Sequence, residues 1–393
     1  MTSRPSVAER LAAAGPKRLL ALDGGGIRGL ITLGYLDAVE RLLRARYRRP
    51  DYLLSDYFDL IGGTSTGSLI ATLLALGWSV SDVRNAYLEL AVDVFQPNHY
   101  WGLGPIGRAL GSRFASTPLE TILMRVLGER TLDSADIRTG LMIVTKRIDT
   151  ASVWPIVNLP ANPYFEDRAV EGGGVAAGNR HLKLWELLRA STAAPTYFRP
   201  KRIGEVRFLQ SGMFVDGAIS THNNPALQLL MAATLDGFGL SWPLGHEQLL
   251  LCSVGTGLYT KTTTVESVEN FTNIDWAKVL VPQLVGDSME LVETVLQWLS
   301  ASPTARPIDR TLGEVAPKLG GPHGLLHYLR YNIALVASEL AAAGVDLETQ
   351  QILAMQDIGN VNAVPHLLEV GAKVQPRVAD AHFPAAFDPE GQP

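Results

Sequence analysis

Short apolar runs that end at glycine clusters, each followed by a helical spacing of leucines, organise the first eighty residues. Residues 18–22 form such a run and predict a buried strand. Leu30, Leu33, Leu36, Val39 and Leu43 then recur at helical intervals and predict a helix over 30–48. A second run at 57–61 leads to a second helix over 67–77. Strand, glycine turn, helix, stated twice, predicts an α/β layered fold. Further strands are expected at 140–145, 151–158, 210–215 and 248–254. Further helices are expected at 118–127, 184–190, 225–235 and 327–343. Two stretches interrupt the pattern as insertions, 94–114 and 262–303. The second contains "WAKVLVPQLVGDSMELVETVLQWL", which reads as a core-packing helix pair, with a membrane-facing lid as the alternative. The chain beyond about 374 is rich in proline, alanine and charge and is expected to be loose.

Composition narrows the class. Of 393 residues, 47% are hydrophobic and 19% charged, a globular balance with enough chain for a sizeable core. The net charge of −5 disfavours general nucleic-acid binding, which needs a basic face. A single cysteine, Cys252, excludes an internal disulfide framework and a multi-cysteine metal site, and no histidines pair at metal-ligand spacing. No metal or cofactor is expected. The most apolar stretch, 60–76, is broken by Gly62, Gly63 and a Thr/Ser run, so no bilayer span is predicted. The expectation is a soluble, cytoplasmic protein. The arginines of 41–49 sit at a helix C-terminus, where cations are favourable; contact with anionic lipid heads is the alternative.

Two glycine motifs carry the candidate chemistry. "LALDGGGIRGL" places Gly24, Gly26 and Gly29 in a G-x-G-x-x-G, which suits a dinucleotide phosphate or, equally, an oxyanion held by bare backbone N–H groups. No acidic residue closes a strand about twenty residues on, where a ribose would need one. "GTSTG", Gly63 to Gly67, is a G-x-S-x-G between an apolar strand and an apolar helix. In that setting the serine sits on a tight turn at the sheet's carboxyl edge, with a helix N-terminus beneath it. Ser65 is therefore the candidate nucleophile, and the glycine loop its candidate oxyanion partner.

"DGGGIRG", "GTSTG" and "DGA" (Asp216, Gly217, Ala218), in this order, resemble the patatin-like phospholipase family over roughly 17–332. "LLRASTAAPTYFRP", "DGAISTHNNP" and "LLLCSVGTG" extend the resemblance. The resemblance implies a three-layer α/β/α sandwich with a mostly parallel central sheet, and a lipid acyl hydrolase with a Ser–Asp dyad and no histidine. Carried over, Ser65 is the nucleophile and Asp216 the base. Gly24, Gly25, Gly26 and Arg28 form the oxyanion loop, with Gly63, Gly67 and Gly217 supporting the motifs. His222, six residues past Asp216, is read as a loop residue. Arg28 has two readings, orienting a substrate phosphate or supporting the loop. An ordinary carboxylate is a weak base for a serine hydroxyl, so Asp216 needs burial to raise it. The implied partners are a lipid substrate and a peripheral membrane surface, with a homo-oligomer or an activating partner open. Some bacterial members of the family are switched on by small signals and then degrade the cell's own membrane, which is the regulated variant of the same chemistry. The implied organisation is an N-terminal extension over 1–16, the hydrolase domain over 17–335, a helical extension over 336–375 and a flexible tail over 376–393.

Overall fold

The computed structural model describes residues 5–95, 112–169, 175–204, 211–259 and 263–389. Most of the 94–114 insertion, including His99, lies outside the described residues, as do the ends of the chain.

Helix α1 (Val7–Ala12) precedes strand β1 (Lys17–Leu22), the glycine loop and helix α2 (Gly29–Arg46). A helical turn, α3 (Leu54–Tyr57), leads to β2 (Leu60–Thr64) and α4 (Thr66–Ala75), then α5 (Val80–Val94) and α6 (Ser116–Leu127). Next come β3 (Gly140–Arg147), β4 (Ser152–Val157), a small hairpin of β5 (Arg168–Ala169) and β6 (Val175–Ala176), and α7 (Leu184–Ser191). Strands β7 (Lys201–Ile203) and β8 (Gly212–Asp216) are followed by α8 (Ala226–Thr234), β9 (Leu249–Val254), α9 (Val265–Glu269) and α10 (Asn273–Leu299). The chain closes with β10 (His327–Tyr331), α11 (Ala337–Ala342), α12 (Thr349–Gln356) and α13 (Val364–Lys373).

The main sheet runs β10-β9-β1-β2-β3-β8-β7, with β4 also paired to β3. The pairs from β10 to β3 are parallel, and β4, β8 and β7 join antiparallel. Successive residues of a strand face opposite sides. Leu20 and Leu22 of β1 enter a core shared with α2, α4, α5 and α6, whereas Leu19 and Ala21 enter a second core shared with α8 and the end of α10. The three-layer, mostly parallel sandwich follows from that alternation.

Four expectations need correction. The second strand lies at Leu60–Thr64 rather than 57–61, because 54–57 coil into α3, whose first turn is capped by the Asp56 carboxylate accepting the Leu53 N–H at 3.0 Å. The helix expected at 327–343 is a strand followed by a short helix. Leu329 and Tyr331 face one core and Tyr328 the other, and β10 pairs in parallel with β9, so strand periodicity wins over the helical spacing that continues downstream. The 262–303 stretch forms one 27-residue helix, α10, beside the short α9, not a core-packing pair. Only its second half is core, through Val292 and Leu296; Ile274, Trp276, Leu280, Val281 and Leu284 are exposed. The described part of the 376–393 segment is packed rather than loose: Phe383 and Phe387 are buried, and Arg46 binds Asp380 at 2.6 Å and Asp388 at 3.2 Å. Apolar anchors spaced among polar residues hold a segment whose average composition reads as solvated.

Candidate active site

Gly63 and Gly67 are glycines because backbone occupies the space of their side chains. A Cβ on Gly63 would lie 2.3 Å from the Gly67 carbonyl, and one on Gly67 would lie 2.3 Å from the Leu22 carbonyl of β1. This crossing throws the residue between them into a strained turn. Ser65 has φ +56°, a conformation non-glycine residues rarely hold unless the surroundings over-determine it. Here they do. The Ser65 N–H donates to Ser191 Oγ at 2.9 Å, and Ser191 Oγ donates in turn to the Val144 carbonyl at 2.6 Å. Helix α4 starts at the next residue, so its N-terminal dipole lies beneath the serine.

Sheet register brings Asp216 to Ser65. One edge of β3 pairs with β2 as far as Thr64↔Val144. Strand β8 takes the same edge from Thr145 onward, with Thr145↔Asp216, while β4 holds the opposite edge. Strand β2 rising and β8 descending therefore meet end to end, and Ser65 Oγ donates to Asp216 Oδ2 at 2.6 Å. The other carboxylate oxygen accepts the Ala218 N–H at 2.8 Å. A Cβ on Gly217 would lie 2.6 Å from the Val144 carbonyl, so the turn after Asp216 also needs glycine. Asp216 is 2% exposed, and burial pushes its carboxyl up to about 7, against the opposing pull of the bonds from Ser65 and Ala218. A carboxylate buried at this depth is a far better proton acceptor at neutral pH than an ordinary aspartate.

The glycine loop lies against the serine: a Cβ on Gly24 would come within 3.0 Å of Ser65 Cβ. Each loop carbonyl is held. Thr256 Oγ1 donates to the Gly24 carbonyl at 3.0 Å. The Arg28 N–H donates to the Gly25 carbonyl at 3.2 Å, and its Nε at 3.4 Å. Tyr87 donates its hydroxyl to the Gly26 carbonyl. In a trans peptide the C=O and the following N–H point in opposite directions. Holding the carbonyls of Gly24 and Gly25 thus fixes the N–H groups of Gly25 and Gly26, and neither has an acceptor among the described residues. The Gly24 N–H is already committed to the Asn223 carbonyl at 3.1 Å. Arg28 is buried, stacked 5.0 Å over Tyr259, and also bonded to the Gly257 carbonyl at 3.3 Å. It braces the loop through these contacts.

The His222 ring is not part of this constellation. Among the described contacts its Nε2 meets only Thr221 Oγ1, at 3.4 Å, while the His222 carbonyl accepts from Thr64 Oγ1 at 2.5 Å. Beside Ser65 lies a narrow apolar cleft of about 30 Å³, lined by Leu69, Leu90, Leu123, Leu188 and Phe198. Four of the arginines of 41–49 pair with acids: Arg41 with Asp37 at 3.3 Å, Arg44 with Glu40 at 2.8 Å, Arg46 with the C-terminal acids and Arg49 with Asp51 at 3.4 Å. Among the described residues no group of His, Cys, Asp and Glu is placed to hold a metal, and no helix is long and apolar enough to cross a membrane.

Several site residues gave no sequence signal of their role. Ser191 and Thr256 lie inside quoted motifs, but nothing marked them as props of the elbow and the loop. Tyr87 comes from α5, a helix the apolar spacing did not bring out. Asp23 was visible as the residue before the glycines. Its partner Arg330, 307 residues away, binds it through the two terminal guanidinium nitrogens at 3.0 and 2.6 Å in the core, and no local pattern announces it.

A family model described as Patatin-like phospholipase matches residues 20–230. The chain is 32% identical over 242 residues to a cGAMP-activated phospholipase of Escherichia coli (strain TW11681), covering 61% of this chain and 62% of that protein. It is 28% identical over 282 residues to Patatin-17 of Solanum cardiophyllum, covering 67% of each. Among solved structures, human GIVD cytosolic phospholipase A2 superposes with a TM-score of 0.47 at 11% identity, over 97% of this chain and 62% of that one. The chain therefore aligns with just under two thirds of the Escherichia coli relative's length.

Proposed function

The chain belongs to the patatin-like phospholipase family, and from that premise we propose that it is a serine lipid acyl hydrolase whose catalytic pair is Ser65 and Asp216. The observation that carries the reading is the 2.6 Å hydrogen bond from Ser65 Oγ to a buried carboxylate. Ser65 Oγ attacks the ester carbonyl carbon while its proton passes to Asp216 Oδ2. The developing oxyanion accepts from the N–H groups of Gly25 and Gly26, a contribution of a few kcal/mol when donors are fixed beforehand. The C–O bond then breaks, and the leaving alcohol takes the proton from Asp216. Water attacks the acyl-serine with Asp216 again taking the proton; the acyl–Oγ bond then breaks, Ser65 Oγ takes the proton back from Asp216, and the fatty acid departs. No step requires a metal or cofactor. The glycine loop's place beside Ser65 favours an oxyanion over a dinucleotide as its guest.

The substrate is proposed to lie in a lipid surface, with the apolar cleft receiving an acyl chain. The exposed half of α10 is proposed to rest on that surface: Met289 on the same helix touches Asn223 of the loop behind Asp216, so the helix rises from the rim of the site. A second reading, a regulated enzyme, is favoured by the name of the Escherichia coli relative. Adding cGAMP to the purified chain and following fatty-acid release from a total lipid extract by mass spectrometry separates constitutive from switched activity.

The decisive experiment is a fluorophosphonate probe. It should label wild type on Ser65 and leave Ser65→Ala unlabelled, with hydrolysis lost by several orders of magnitude and the melting curve retained. Hydrolysis surviving in Ser65→Ala would remove the nucleophile from this site.

A further inference from the structure

The family-matched span ends at residue 230, yet the site does not. The turn between α12 and α13 reaches back to it. The Ile358 carbonyl accepts the Ile27 N–H at 2.9 Å, directly after the glycines. Gly26 has φ +57°, and a Cβ there would lie 2.2 Å from the Ile358 carbonyl and 2.8 Å from Ile358 Cβ. Ile358 lines the apolar cleft together with Gly26 and Ser65. The turn itself is braced. Arg113 Nη1 donates to both carboxylate oxygens of Asp357 at 2.9 Å, and the Arg113 guanidinium stacks over Phe114 and Tyr197. Gly359 lies so close that a Cβ would come 2.8 Å from the Phe114 ring. Tyr197 is itself a cleft residue. Helix α13 anchors the whole segment on α2, the helix that leaves the glycine loop: a Cβ on Gly34 would lie 2.1 Å from the Gly371 carbonyl.

We propose that the C-terminal turn Asp357–Gly359 is a working part of the active site, in which the Ile358 side chain walls the acyl cleft and sets which acyl chains fit, and Asp357 is a positioning residue that holds the turn against the oxyanion loop. The proposal rests on the reading of Ser65 as nucleophile. It extends that site to a region the family match does not cover. Ile358 is specificity-determining because it is the only described residue of the cleft drawn from beyond residue 198, so its size changes the cleft without touching the Ser65–Asp216 pair. Asp357 acts at a distance, through the turn and the Ile27 N–H.

The test uses the full chain and two p-nitrophenyl esters, butyrate and palmitate, with rates normalised to the serine titrated by a fluorophosphonate. Ile358→Trp should lower the palmitate-to-butyrate ratio of kcat/KM by roughly tenfold or more, since excluding methylenes from an apolar pocket discriminates on that scale. Ile358→Phe asks the same question with a smaller side chain should the tryptophan variant not melt cooperatively. Leu353→Trp, on the exposed face of α12, should leave the ratio unchanged. Asp357→Asn should lower kcat on both esters by the same factor with KM held, and Asp357→Glu should restore much of it. An unchanged chain-length ratio in both folded Ile358 variants overturns the wall. A lower melting temperature with unchanged kcat per titrated serine in Asp357→Asn overturns the positioning role. A wild type that hydrolyses neither ester and whose Ser65 takes no fluorophosphonate overturns the reading of the site itself, and the proposal with it.

Discussion

In the proposed mechanism Asp216 joins catalysis to stability in one side chain. Its carboxyl stands near 7 because burial penalises the charged form. Only the ionised form can take the Ser65 proton, so kcat/KM should fall on acidification with a single ionisation near pH 7; a profile flat between about pH 5 and about pH 8 removes Asp216 from the role of base. The same shift has a thermodynamic sign. The folded-state value lies above the unfolded value of 3.8, so the folded state binds the extra proton between the two. The stability associated with the neutral form is complete below about 3.8 and is lost as pH rises through about 7. Asp216→Asn, which never ionises, should therefore be inactive yet more stable than wild type near pH 8, by up to about 4 kcal/mol, with the difference closing near pH 3. Thermal melts at the two pH values read this directly, and equal melting at high pH would mean that the carboxylate is not held at a cost. Arg28 offers a second test at this scale. It fixes the Gly25 carbonyl and hence the direction of the Gly26 N–H. Arg28→Lys should lose roughly a hundredfold in kcat with KM nearly unchanged, the size of one misaimed oxyanion donor. A rise in KM alone would instead favour substrate recognition by Arg28.

Among the elements, those set by short-range pattern were legible and those set by partners far along the chain were not. The strand–glycine–helix units around Gly24 and Ser65 could be read because tight turns demand glycine and buried parallel strands demand continuous apolar runs. The stretch 327–331 could not, since it is a strand only by virtue of β9 beside it. Asp216 was legible as a motif. Its pairing with Ser65 came only from the family resemblance; the geometry that brings the two together could not be read, because it depends on β2 and β8 sharing one edge of β3. Helix α10 shows the same division within one element. Its amphipathic pattern was visible, but which half finds a core was decided by α8 and β10. The half without a core exposes Ile274, Leu280, Val281 and Leu284. If that face rests on lipid, Leu280→Ser with Leu284→Ser should reduce co-flotation with phosphatidylcholine vesicles by several-fold, since each leucine buried from water contributes ~1.5–3 kcal/mol. Turnover of soluble p-nitrophenyl butyrate should stay at the wild-type level. Undiminished flotation, or a shift from dimer to monomer in the variant, would assign the face to something other than lipid.

For the whole molecule, the segment beyond residue 375 decides whether the C-terminal region is appendage or core. Its composition reads as loose, but its contacts close the bottom of α2 and the sheet edge. Phe383 meets Tyr57 edge-on at 6.0 Å, and Phe387 is buried beside His327. The Tyr47 hydroxyl donates to Asp388 at 2.6 Å, and His327 on β10 is hydrogen-bonded to the His382 carbonyl at 2.9 Å. Ending the chain at residue 375 would strip two phenylalanines from a packed interior, and losing each such ring costs ~3–5 kcal/mol where the site cannot collapse. The ordering entropy no longer spent on the removed residues offsets part of this, at ~1–2 kcal/mol for each residue that was held in one conformation. The surface left behind sets the balance. Tyr57 and His327 would be bared, while Tyr47 and Arg46 would lose their carboxylate partners with nothing apolar to replace them. Net destabilisation is the expected result. The shortened chain should melt several degrees lower and lose protection from hydrogen exchange first along β10 and the start of α2. Ser65 should still be labelled by fluorophosphonate in the fraction that remains folded, because the turn at Asp357–Gly359 and the α13–α2 crossing both lie before the cut. A melting temperature equal to that of the full chain would show that 376–389 is carried by the fold and does not hold it.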